Sequence, residues 1–561
     1  MYVSSKSPEL EIDARLDRNC AIWFAKDSFD PSTYLNGQSV AGESFLKGFL
    51  KRADVEECVA LVNGPNGLDA FKDFVAETGV DTPVRGVFRH QSDAIHPVSS
   101  VFISTPNVQN QLWARGHFGH EKYSICGLTH TINTTAVMEG AFLTRAAPQK
   151  PWDAVICTSQ AVKSAMLRMF ERTDEYLVDR FGSSPPLPQL PVIPLGVDTE
   201  AFAHDDDKRK TLREQLGFTN KDVVFLTVAR LAPALKFDPI PVFLALREAQ
   251  RILGDKKRLH YMVCGYYPDE HLEKVFEDAA NELLEEGRFH VFDGQIQDNV
   301  KSCFSAADVF LFPIDNFQES FGVVLVEAMS AGLPVIASDW DGVKDTVSED
   351  VGIRVPTMST TSEQSAPEGQ RYSQGLLSYP QYPTNTYAQI EINMPALIDA
   401  IVTCADKKGL RSKFGNKGVR RAKSVYDWSV IIPQMQDLWQ DLAEIRRHAG
   451  QVTSAVPFAP PPMDYMASFP SQAIDAAQDQ FVIRETDYSV KEMFSLRRYA
   501  NAKRSFENED TLARVYDAVR ALSPQAVSIE ITAESLQFNP LTVGRCLVWL
   551  LKYGFLQRLE T

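Results

Sequence analysis

Short apolar runs alternate with longer amphipathic segments along most of this chain, and this alternation limits its fold more than any other feature. Runs of about four to eight apolar or β-branched residues are typical of buried parallel strands that helices connect. One series begins at Cys20 and reads CAIWFA, ECVALV, SVFIST, YSICGLTH, DAVICTS and PVIPLG. A second follows Val197 and reads VVFLTVA, HYMVCG, FHVFDG, VFLFP and PVIAS. The sequence therefore predicts an α/β protein with two consecutive doubly wound domains, over residues 1–195 and 196–450.

Two stretches interrupt the alternation. Residues 357–390 are polar and have no periodicity, so they are predicted to form an insertion loop in the second domain. Residues 451–500 contain five prolines between positions 457 and 470. Because proline fixes φ and lacks a backbone N–H group, this segment is predicted to be a Pro-rich linker.

The last segment, 501–561, has the pattern of a small separate domain. A helix is predicted over 511–522, and the Asn539-Pro540 pair marks a turn before an apolar-faced helix over 541–552. Two helices around a turn, followed by a short strand, are typical of a winged-helix-like α/β unit. Acidic residues balance its basic ones, so the sequence favours homodimer formation or contact with a protein partner over binding of nucleic acid.

Overall charge and cysteine usage exclude several classes of function. The chain has 57 Lys and Arg residues against 73 Asp and Glu residues, a formal net charge of −16. Nucleic acids and anionic membranes require a positive surface, so neither is an expected partner. The 8 cysteines include no C-x-x-C pair, which predicts neither a zinc site nor a disulfide framework. Since the N-terminus is polar and no apolar run reaches about 18 residues, we expect a cytoplasmic protein without a transmembrane segment.

Two glutamates lie around the start of an apolar helix within residues 307–342. A strand and a polar loop lead to Glu319, and Glu327 lies inside the helix with apolar neighbours on every side. A carboxylate in such surroundings needs hydrogen-bond donors, which the hydroxyl groups of a ligand could supply. The N–H groups near Phe321 and Gly322 lie at the helix N-terminus, which suits a phosphate. The alternative is that Glu319 only stabilises the helix start and that Glu327 bonds to neighbouring backbone.

Two cations follow the strand predicted over 223–229. Arg230 comes directly after that strand, and Lys236 follows it in the same loop. Open parallel sheets bind ligands at the carboxyl ends of their strands, so both side chains are candidates for a ligand site. A guanidinium fork and an ammonium group together can neutralise a diphosphate without a metal ion. The alternative is that Arg230 is an ordinary surface residue.

Taken together, these segments resemble one family, the retaining nucleotide-sugar glycosyltransferases of family 4. The resemblance covers about residues 20–447. It rests on the spacing of Glu319 and Glu327 and on the segments SFG, EAMSAGLPVIASD, VARL with its later lysine, PVIPLGVDTEAF, PWDAVICTSQAV and YDWSVIIPQMQDLW. It implies the GT-B architecture, in which two Rossmann-like domains face each other. The tail then adds a small winged-helix-like domain.

The resemblance also implies a role for individual residues. Glu319 would contact hydroxyl groups of the donor sugar, and Glu327 would hold the ribose. Arg230 and Lys236 would bind the diphosphate and stabilise it as the leaving group. The spacing between these two cations is one residue longer than the family pattern, and Phe237 stands where glycine is frequent.

Other implied contacts come from backbone and from the first domain. Amides at Phe321 and Gly322 would help to hold the sugar or the phosphate. A glycine-containing loop with Gly37 and Gly42 would face the diphosphate, and His130 would lie beside the anomeric carbon. The glycines could instead form only a turn before a helix, and the histidine could be an ordinary core residue.

The implied activity is transfer of a sugar from a UDP-, GDP- or ADP-sugar to a carbohydrate, lipid-linked or protein acceptor. Retention of anomeric configuration comes from the family resemblance, whereas the two cations predict metal independence, with no bound cofactor and no metal site. Two alternatives stay open. The chain could be an inactive sugar-nucleotide-binding regulator or scaffold that acts through its C-terminal domain. It could also be a phosphorylase or epimerase of the same architecture.

Other polar clusters offer weaker signals. The acidic runs at 204–207 and 339–341 look like metal-binding motifs, but both are expected to be turns. A first-domain loop could contact the acceptor, and its polar and aromatic members are Trp113, Arg115, His117 and His120.

Overall fold

A computed structural model describes residues 14–29, 37–233, 236–317, 319–450, 456–497 and 507–559. The chain divides into two compact units, Met1–Val456 and Pro457–Thr561. The first unit contains two six-stranded parallel sheets. No helix within these ranges is both long and apolar enough to cross a membrane.

The first sheet occupies the N-terminal half of the first unit. Its strands are β1 (Cys20–Trp23), β2 (Cys58–Val62), β3 (Val84–Phe88), β4 (Ser100–Ile103), β5 (Ser124–Leu128) and β6 (Ala154–Ile156). The helices are α1 (Ala14–Asp17), α2 (Gly37–Arg52), α3 (Pro65–Glu77), α4 (Gln109–Arg115), α5 (Thr135–Ala146) and α6 (Gln160–Phe181). The strand order is β3-β2-β1-β4-β5-β6, with all pairs parallel. Every residue of β2 and β5 is buried, as expected for strands covered on both faces.

The second sheet repeats this arrangement. Its strands are β7 (Asp222–Val228), β8 (Arg258–Gly265), β9 (Phe289–Asp293), β10 (Val309–Phe312), β11 (Val335–Ser338) and β12 (Gly352–Val355). The helices among them are α7 (Asp206–Gln215), α8 (Pro239–Leu253), α9 (Glu270–Leu283), α10 (Gln297–Ala306), α11 (Val323–Ser330) and α12 (Val343–Thr346). The order is β12-β11-β10-β7-β8-β9, again parallel. Two doubly wound domains are thus confirmed. The order reverses between β7 and β10, and ligands bind such sheets beside that point.

The segment predicted as an insertion loop contains regular structure. Strands β13 (Thr357–Ser359) and β14 (Ile390–Ile392) pair antiparallel at its base, and helices α13 (Ser362–Ser373) and α14 (Gln381–Tyr387) lie between them. Thr361 and Gln364 form a reciprocal capping box that starts α13. The sequence pattern missed this helix because only one of its residues, Tyr372, is buried.

The last helices of the first unit pack against both of its domains. They are α15 (Met394–Asp406), α16 (Lys408–Arg421) and α17 (Trp428–Arg447). The sequence placed all of them in the second domain, but α17 packs on the first sheet. The buried Arg446 donates hydrogen bonds to the carbonyl oxygen of Ser99 and, over 2.9 Å, to Ser124 Oγ. Helix α17 therefore ties the end of the second domain to the core of the first.

The chain passes between the two sheets twice, and the two passages lie side by side. The backbone N–H of Val197 donates to the carbonyl oxygen of Tyr426 over 2.8 Å, and the N–H of Trp428 donates to the carbonyl oxygen of Val197 over 3.3 Å. Thr199 Oγ1 donates to Asp427 Oδ2 over 2.7 Å. The same Asp427 caps the start of α17.

The second unit has its own core. Its helices are α18 (Pro462–Tyr465), α19 (Val490–Ser495), α20 (Glu509–Leu522), α21 (Ile529–Leu536) and α22 (Pro540–Lys552), and its strands are β15 (Phe481–Ile483) and β16 (Leu556–Arg558). The predicted helix-turn-helix is present as α21 and α22, joined at Gln537 with a φ of 53°. β16 pairs with β15. The segment predicted as a linker thus supplies a strand to this unit, and the winged-helix assignment stays a prediction.

Candidate active site

A cavity of about 880 Å³ lies between the two sheets of the first unit. On one side it is lined by the loops that follow β7 and β10 and by the first turn of α11. On the other side it is lined by α2 and by the loop after β5. The second-domain side is therefore the carboxyl edge of the parallel sheet, beside the point where its strand order reverses.

Arg230 and Lys236 both line this cavity. The guanidinium carbon of Arg230 lies 5.9 Å from the ring centroid of Tyr266, and its Nε is buried with no hydrogen-bond partner among the described residues. A buried N–H group without a partner costs free energy, so this nitrogen suits an acceptor atom of a ligand.

Lys236 is paired with Glu319. Its Nζ donates to Glu319 Oε2 over 2.5 Å, and the two side chains are 25% and 13% exposed. These residues come from the loops after two neighbouring strands, β7 and β10, whose carboxyl ends meet at one edge of the sheet. The cation and the carboxylate predicted from sequence therefore meet in one place.

Glu327 lies in α11 and also lines the cavity. Burial, together with the nearby charge of Glu319, raises the pKa of Glu327 from 4.5 to about 7. This carboxyl group therefore carries a proton for part of the time at neutral pH, and it can donate as well as accept hydrogen bonds.

The loop before α11 is held in a fixed shape. Gly322 has a φ of 80°, in the left-handed region that favours glycine, and it precedes the first helical residue. Thr346 Oγ1 donates to the carbonyl oxygen of Phe321 over 2.9 Å, and the Phe321 ring packs edge-on against Tyr426 at 5.6 Å. Phe321, Gly322 and the first turn of α11 all line the cavity. The N–H groups of a first helical turn attract anions, so this wall suits a phosphate.

His130 lines the opposite wall, just beyond β5. Burial lowers its pKa from 6.5 to about 4, so the imidazole is neutral at neutral pH. Its Nε2 is buried and has no hydrogen-bond partner among the described residues. The ring can therefore exchange a hydrogen bond with a ligand in the cavity without adding charge there.

Of the two first-domain glycines, Gly42 is not among the residues that line the cavity. Helix α2 begins at Gly37, and the preceding residues 30–36 lie outside the described ranges. Gly42 lies within α2, where a Cβ atom would clash with the carbonyl oxygen of Ser28. The close packing of α2 against the backbone of Ser28 explains why residue 42 is a glycine. Contact between this segment and a diphosphate stays a prediction.

Comparison with known proteins agrees with this geometry. Residues 208–364 match the family model described as "Glycosyl transferases group 1". The matched residues include all six strands of the second sheet. Arg230, Lys236, Glu319 and Glu327 all lie within the matched residues.

The chain is also similar to D-inositol 3-phosphate glycosyltransferases. It is 31% identical over 255 residues to that of Geodermatophilus obscurus, covering 44% of this chain and 54% of the relative. It is 24% identical over 323 residues to that of Corynebacterium glutamicum, covering 56% and 66%. The matches thus span about half to two thirds of each relative's length.

A solved structure shares the fold. The crystal structure of Anabaena Alr3699/HepE in complex with UDP is 16% identical, covers 75% of this chain and 100% of that chain, and has a TM-score of 0.50. This likeness supports the assignment of the two facing Rossmann-like domains to the GT-B architecture.

The cavity between the two sheets, or cleft, contains further cations that the sequence analysis did not single out. Lys47, Lys51 and Arg52 of α2 and Lys301 of α10 line the same cavity. The four-residue spacing of the two lysines on α2 was a signal that they share a helix face. The packing of α2 against α17 decides which face of α2 lines the cleft, and sequence periodicity does not specify that packing.

The predicted contact with the acceptor is wrong for two of the four residues, Arg115 and His120, and it stays a prediction for the exposed His117 and the partly buried Trp113. Arg115 is fully buried, and its two terminal nitrogens contact the carboxylate oxygens of Asp153 over 2.6 and 2.7 Å. His120 is also fully buried. Arg115 and His120 therefore belong to the buried interior of the first domain.

Of the two acidic runs predicted to be turns, the run at 339–341 is a turn, whereas the run at 204–207 forms the start of helix α7, which begins at Asp206. Asp205 accepts hydrogen bonds from the N–H groups of Asp207 and Lys208 and so caps α7. The run at 339–341 connects β11 to α12, where Asp341 has a φ of 43°. Burial, and then the charge of Glu319, raise the pKa of Asp341 to about 7. The described part of the chain holds no group of three or more side chains suited to a metal ion.

Proposed function

We propose that this protein is a glycosyltransferase that moves a sugar from a nucleoside diphosphate sugar to an acceptor hydroxyl group, with retention of anomeric configuration. The Lys236–Glu319 pair beside Arg230, within the residues that match the glycosyl transferases group 1 family model, carries the proposal. A diphosphate needs cations and a sugar needs hydrogen-bond acceptors. Both occur in one cavity large enough for a nucleotide sugar.

Stabilisation of the leaving group is the main catalytic effect in this proposal. Cleavage of the bond between the anomeric carbon and the diphosphate oxygen leaves negative charge on the β-phosphate. Arg230, Lys236 and the N–H groups at the start of α11 stabilise that charge as it develops. Because these positive groups are already in place, transfer should not require a metal ion.

Glu319 has two tasks in this scheme. Before the donor binds, its carboxylate holds the Lys236 ammonium group in position. When the diphosphate engages Lys236, the carboxylate becomes free to accept hydrogen bonds from the donor sugar. Glu327 is partly protonated near neutral pH, because its pKa is about 7, and it holds the ribose hydroxyl groups.

Retention follows if the acceptor attacks on the face from which the diphosphate leaves. The acceptor oxygen forms the new bond to the anomeric carbon, and the departing phosphate oxygen takes the acceptor's proton. His130 is neutral and lies across the cavity, where its ring can hydrogen-bond to a hydroxyl group of a bound substrate and orient it.

The acceptor and the compartment are further parts of the proposal. The names of the relatives make a polyhydroxylated acceptor such as D-inositol 3-phosphate the first compound to test. A cytoplasmic location is supported by the 8 cysteines of the chain, all free and buried, which suit a reducing environment.

Nucleotide binding tests the proposal at its first physical step. Calorimetry in the presence of EDTA should show that one of UDP, GDP and ADP binds the wild type. Arg230→Ala should weaken that affinity about 10- to 100-fold, because a charged hydrogen bond to the diphosphate is lost. The control is Arg251→Ala, which removes a side chain that is 78% exposed in the same domain. This variant should bind like the wild type.

Two results would count against the proposal. If none of the three nucleotides bound, the cavity would not be a nucleotide-sugar site, and a role as regulator or scaffold through the second unit would take precedence. If Arg230→Ala and Arg251→Ala lost affinity equally, the assignment of Arg230 to the diphosphate would be wrong.

A further inference from the structure

The insertion at residues 357–392, which we name the strap, reaches the first domain. The phenolic oxygen of Tyr372 accepts a hydrogen bond from the backbone N–H of Thr135 over 3.0 Å. The phenol of Tyr379 donates to Asn133 Oδ1 over 3.3 Å. Asn133 lies in the loop between β5 and α5 that also carries His130, and Thr135 is the helical residue at the end of that loop. The strap thus connects the domain with the two cations to the loop on the opposite wall of the cleft.

Burial and ring stacking hold the Tyr372 side chain in place. Its side chain is 7% exposed and stacks on the ring of Tyr382, with centroids 4.2 Å apart and ring planes 6° apart. Thr135 is the first residue of α5, so its N–H has no acceptor inside the helix. The phenolic oxygen of Tyr372, which belongs to the second domain, therefore supplies the hydrogen-bond acceptor for the first N–H group of α5.

The loop that the strap contacts contains two buried polar atoms whose hydrogen-bonding capacity is unused. His130 Nε2 and Asn133 Nδ2 are both buried and have no hydrogen-bond partner among the described residues. Asn133 is only 9% exposed. Buried polar atoms without partners are costly, and hydroxyl groups of a ligand can supply both an acceptor and a donor. His130 and its neighbour Thr131 line the cavity.

We propose that the strap, through Tyr372 and through the contact of Tyr379 with Asn133, positions this loop so that His130 and Thr131 recognise a polyhydroxylated acceptor. The two tyrosines do not line the cavity, so they are positioning residues that act through the loop. This inference rests on the proposed function and adds to it the element that selects the acceptor.

The arrangement links acceptor binding to the closed cleft. The strap belongs to the second domain and the loop belongs to the first, so the two hydrogen bonds exist only while the domains face each other at this separation. Opening of the cleft would remove both bonds from the loop. The acceptor site is then complete only when the donor site is closed, which limits transfer of the sugar to water.

Removal of the two hydroxyl groups tests the inference. Tyr372→Phe, Tyr379→Phe and the double variant keep the aromatic rings and lose only the hydrogen bonds. The control is Tyr382→Phe, which keeps the ring that stacks on Tyr372. Hydrogen exchange across residues 129–137 should be about 2- to 10-fold faster in Tyr372→Phe, and unchanged in the control, because the Thr135 amide loses its acceptor.

The kinetic measurement separates positioning from a general loss of structure. With the nucleotide sugar that the wild type uses and inositol or D-inositol 3-phosphate as acceptor, the double variant should raise the acceptor KM about 3- to 30-fold. Its donor KM and nucleotide diphosphate affinity should stay within about twofold, and the share of donor lost to hydrolysis should rise.

Each outcome has a distinct meaning. If the wild type binds a nucleotide and transfers to the polyol, but the double variant keeps the wild-type acceptor KM and hydrolysis share, the strap has no positioning role. If the donor and acceptor KM rise together, the tyrosines support the fold only, and the inference is wrong. A wild type that hydrolyses donor and transfers to neither polyol overturns the acceptor class. A wild type that binds no nucleotide overturns the proposed function itself.

Discussion

The Glu327 carboxyl group makes stability depend on pH in a direction opposite to that of an ordinary surface carboxylate. Its pKa is raised from 4.5 to about 7, first by burial and then by Glu319. Between these values the folded chain binds more protons than the unfolded chain, so the free energy of unfolding falls as pH rises. The stabilising contribution is complete below the unfolded pKa and is lost as pH rises through about 7.

We therefore expect Glu327→Gln to be more stable relative to wild type at pH 8 than at pH 4.5. The change in relative stability should be about 1–3 kcal/mol, since each unit of pKa shift corresponds to about 1.4 kcal/mol. Thermal melts of both proteins across this range measure it. The exposed Glu286→Gln is a matched control and should show no such trend. A constant difference between wild type and Glu327→Gln would contradict the pKa assignment.

At this same scale, the sequence indicated several of the residues that line the cleft on the second-domain side, although not Lys301. Arg230, Glu319 and their partners follow strands, and the carboxyl ends of parallel strands converge wherever the sheet is formed. The pairing of Lys236 with Glu319 was not predictable, because the two lie 83 positions apart and meet through the paths of two irregular loops. The cations of α2 were missed for a similar reason, since they reach the cleft only when one domain faces the other.

Helix α2 depends on a glycine at its contact with α17. A Cβ atom at Gly48 would lie 2.5 Å from a ring carbon of Trp428. Trp428 is itself held by a hydrogen bond of 3.0 Å from its Nε1 to Ser44 Oγ. The ring therefore cannot give way without breaking that bond.

Gly48→Ala should lower the free energy of unfolding by about 1–3 kcal/mol, the usual cost of overpacking. The control is Gly409→Ala in α16, where a Cβ atom would meet nothing within 4 Å. That change should be neutral or stabilising by up to about 1 kcal/mol, because alanine favours a helix over glycine. Thermal melts of the two variants compare the effects, and equal melting temperatures would show that α2 and α17 can separate without cost.

Elements with a strong apolar pattern were predictable, and elements without one were not. Strands such as β7 and β10, and helix α11, were expected because most of their side chains are buried. Strands β3 and β12, which are only partly buried, were not among the predicted runs. The predicted run PVIPLG forms only an isolated bridge, at Val192. Helix α13 was taken for a loop because the strap buries so little of it, and its start is set by a local capping box. The placement of α17 on the first sheet depends on tertiary contacts such as that of Arg446, which periodicity does not encode.

At the scale of the whole molecule, the chain consists of two units with separate cores. The second unit has its own cluster of buried residues, which includes Phe481, Val515, Leu547 and Trp549. A chain that ends at Val456 should therefore keep its nucleotide affinity within about twofold, while losing any self-association that the second unit provides. Calorimetry and light scattering on both lengths measure the two effects. Loss of nucleotide binding in the shortened chain would mean that the second unit supports the site.

The repeated alternation of apolar runs was enough to predict two sheets of parallel strands, although not each strand, because burial on both faces leaves a continuous hydrophobic signal. The boundary of the second unit was not predictable from proline content. Strand β15 lies within the proline-containing segment, and it belongs to this unit through its pairing with β16.

The paired crossings at Val197 and Asp427 limit how the two sheets can move. A single covalent connection would let one domain twist freely about the chain. Here two connections are joined by backbone hydrogen bonds, and a side-chain bond from Thr199 holds them together. Two fixed points define a line, so the remaining free motion is rotation about that line. The cleft should therefore open along one reproducible arc, which returns Arg230 and His130 to the same separation each time it closes.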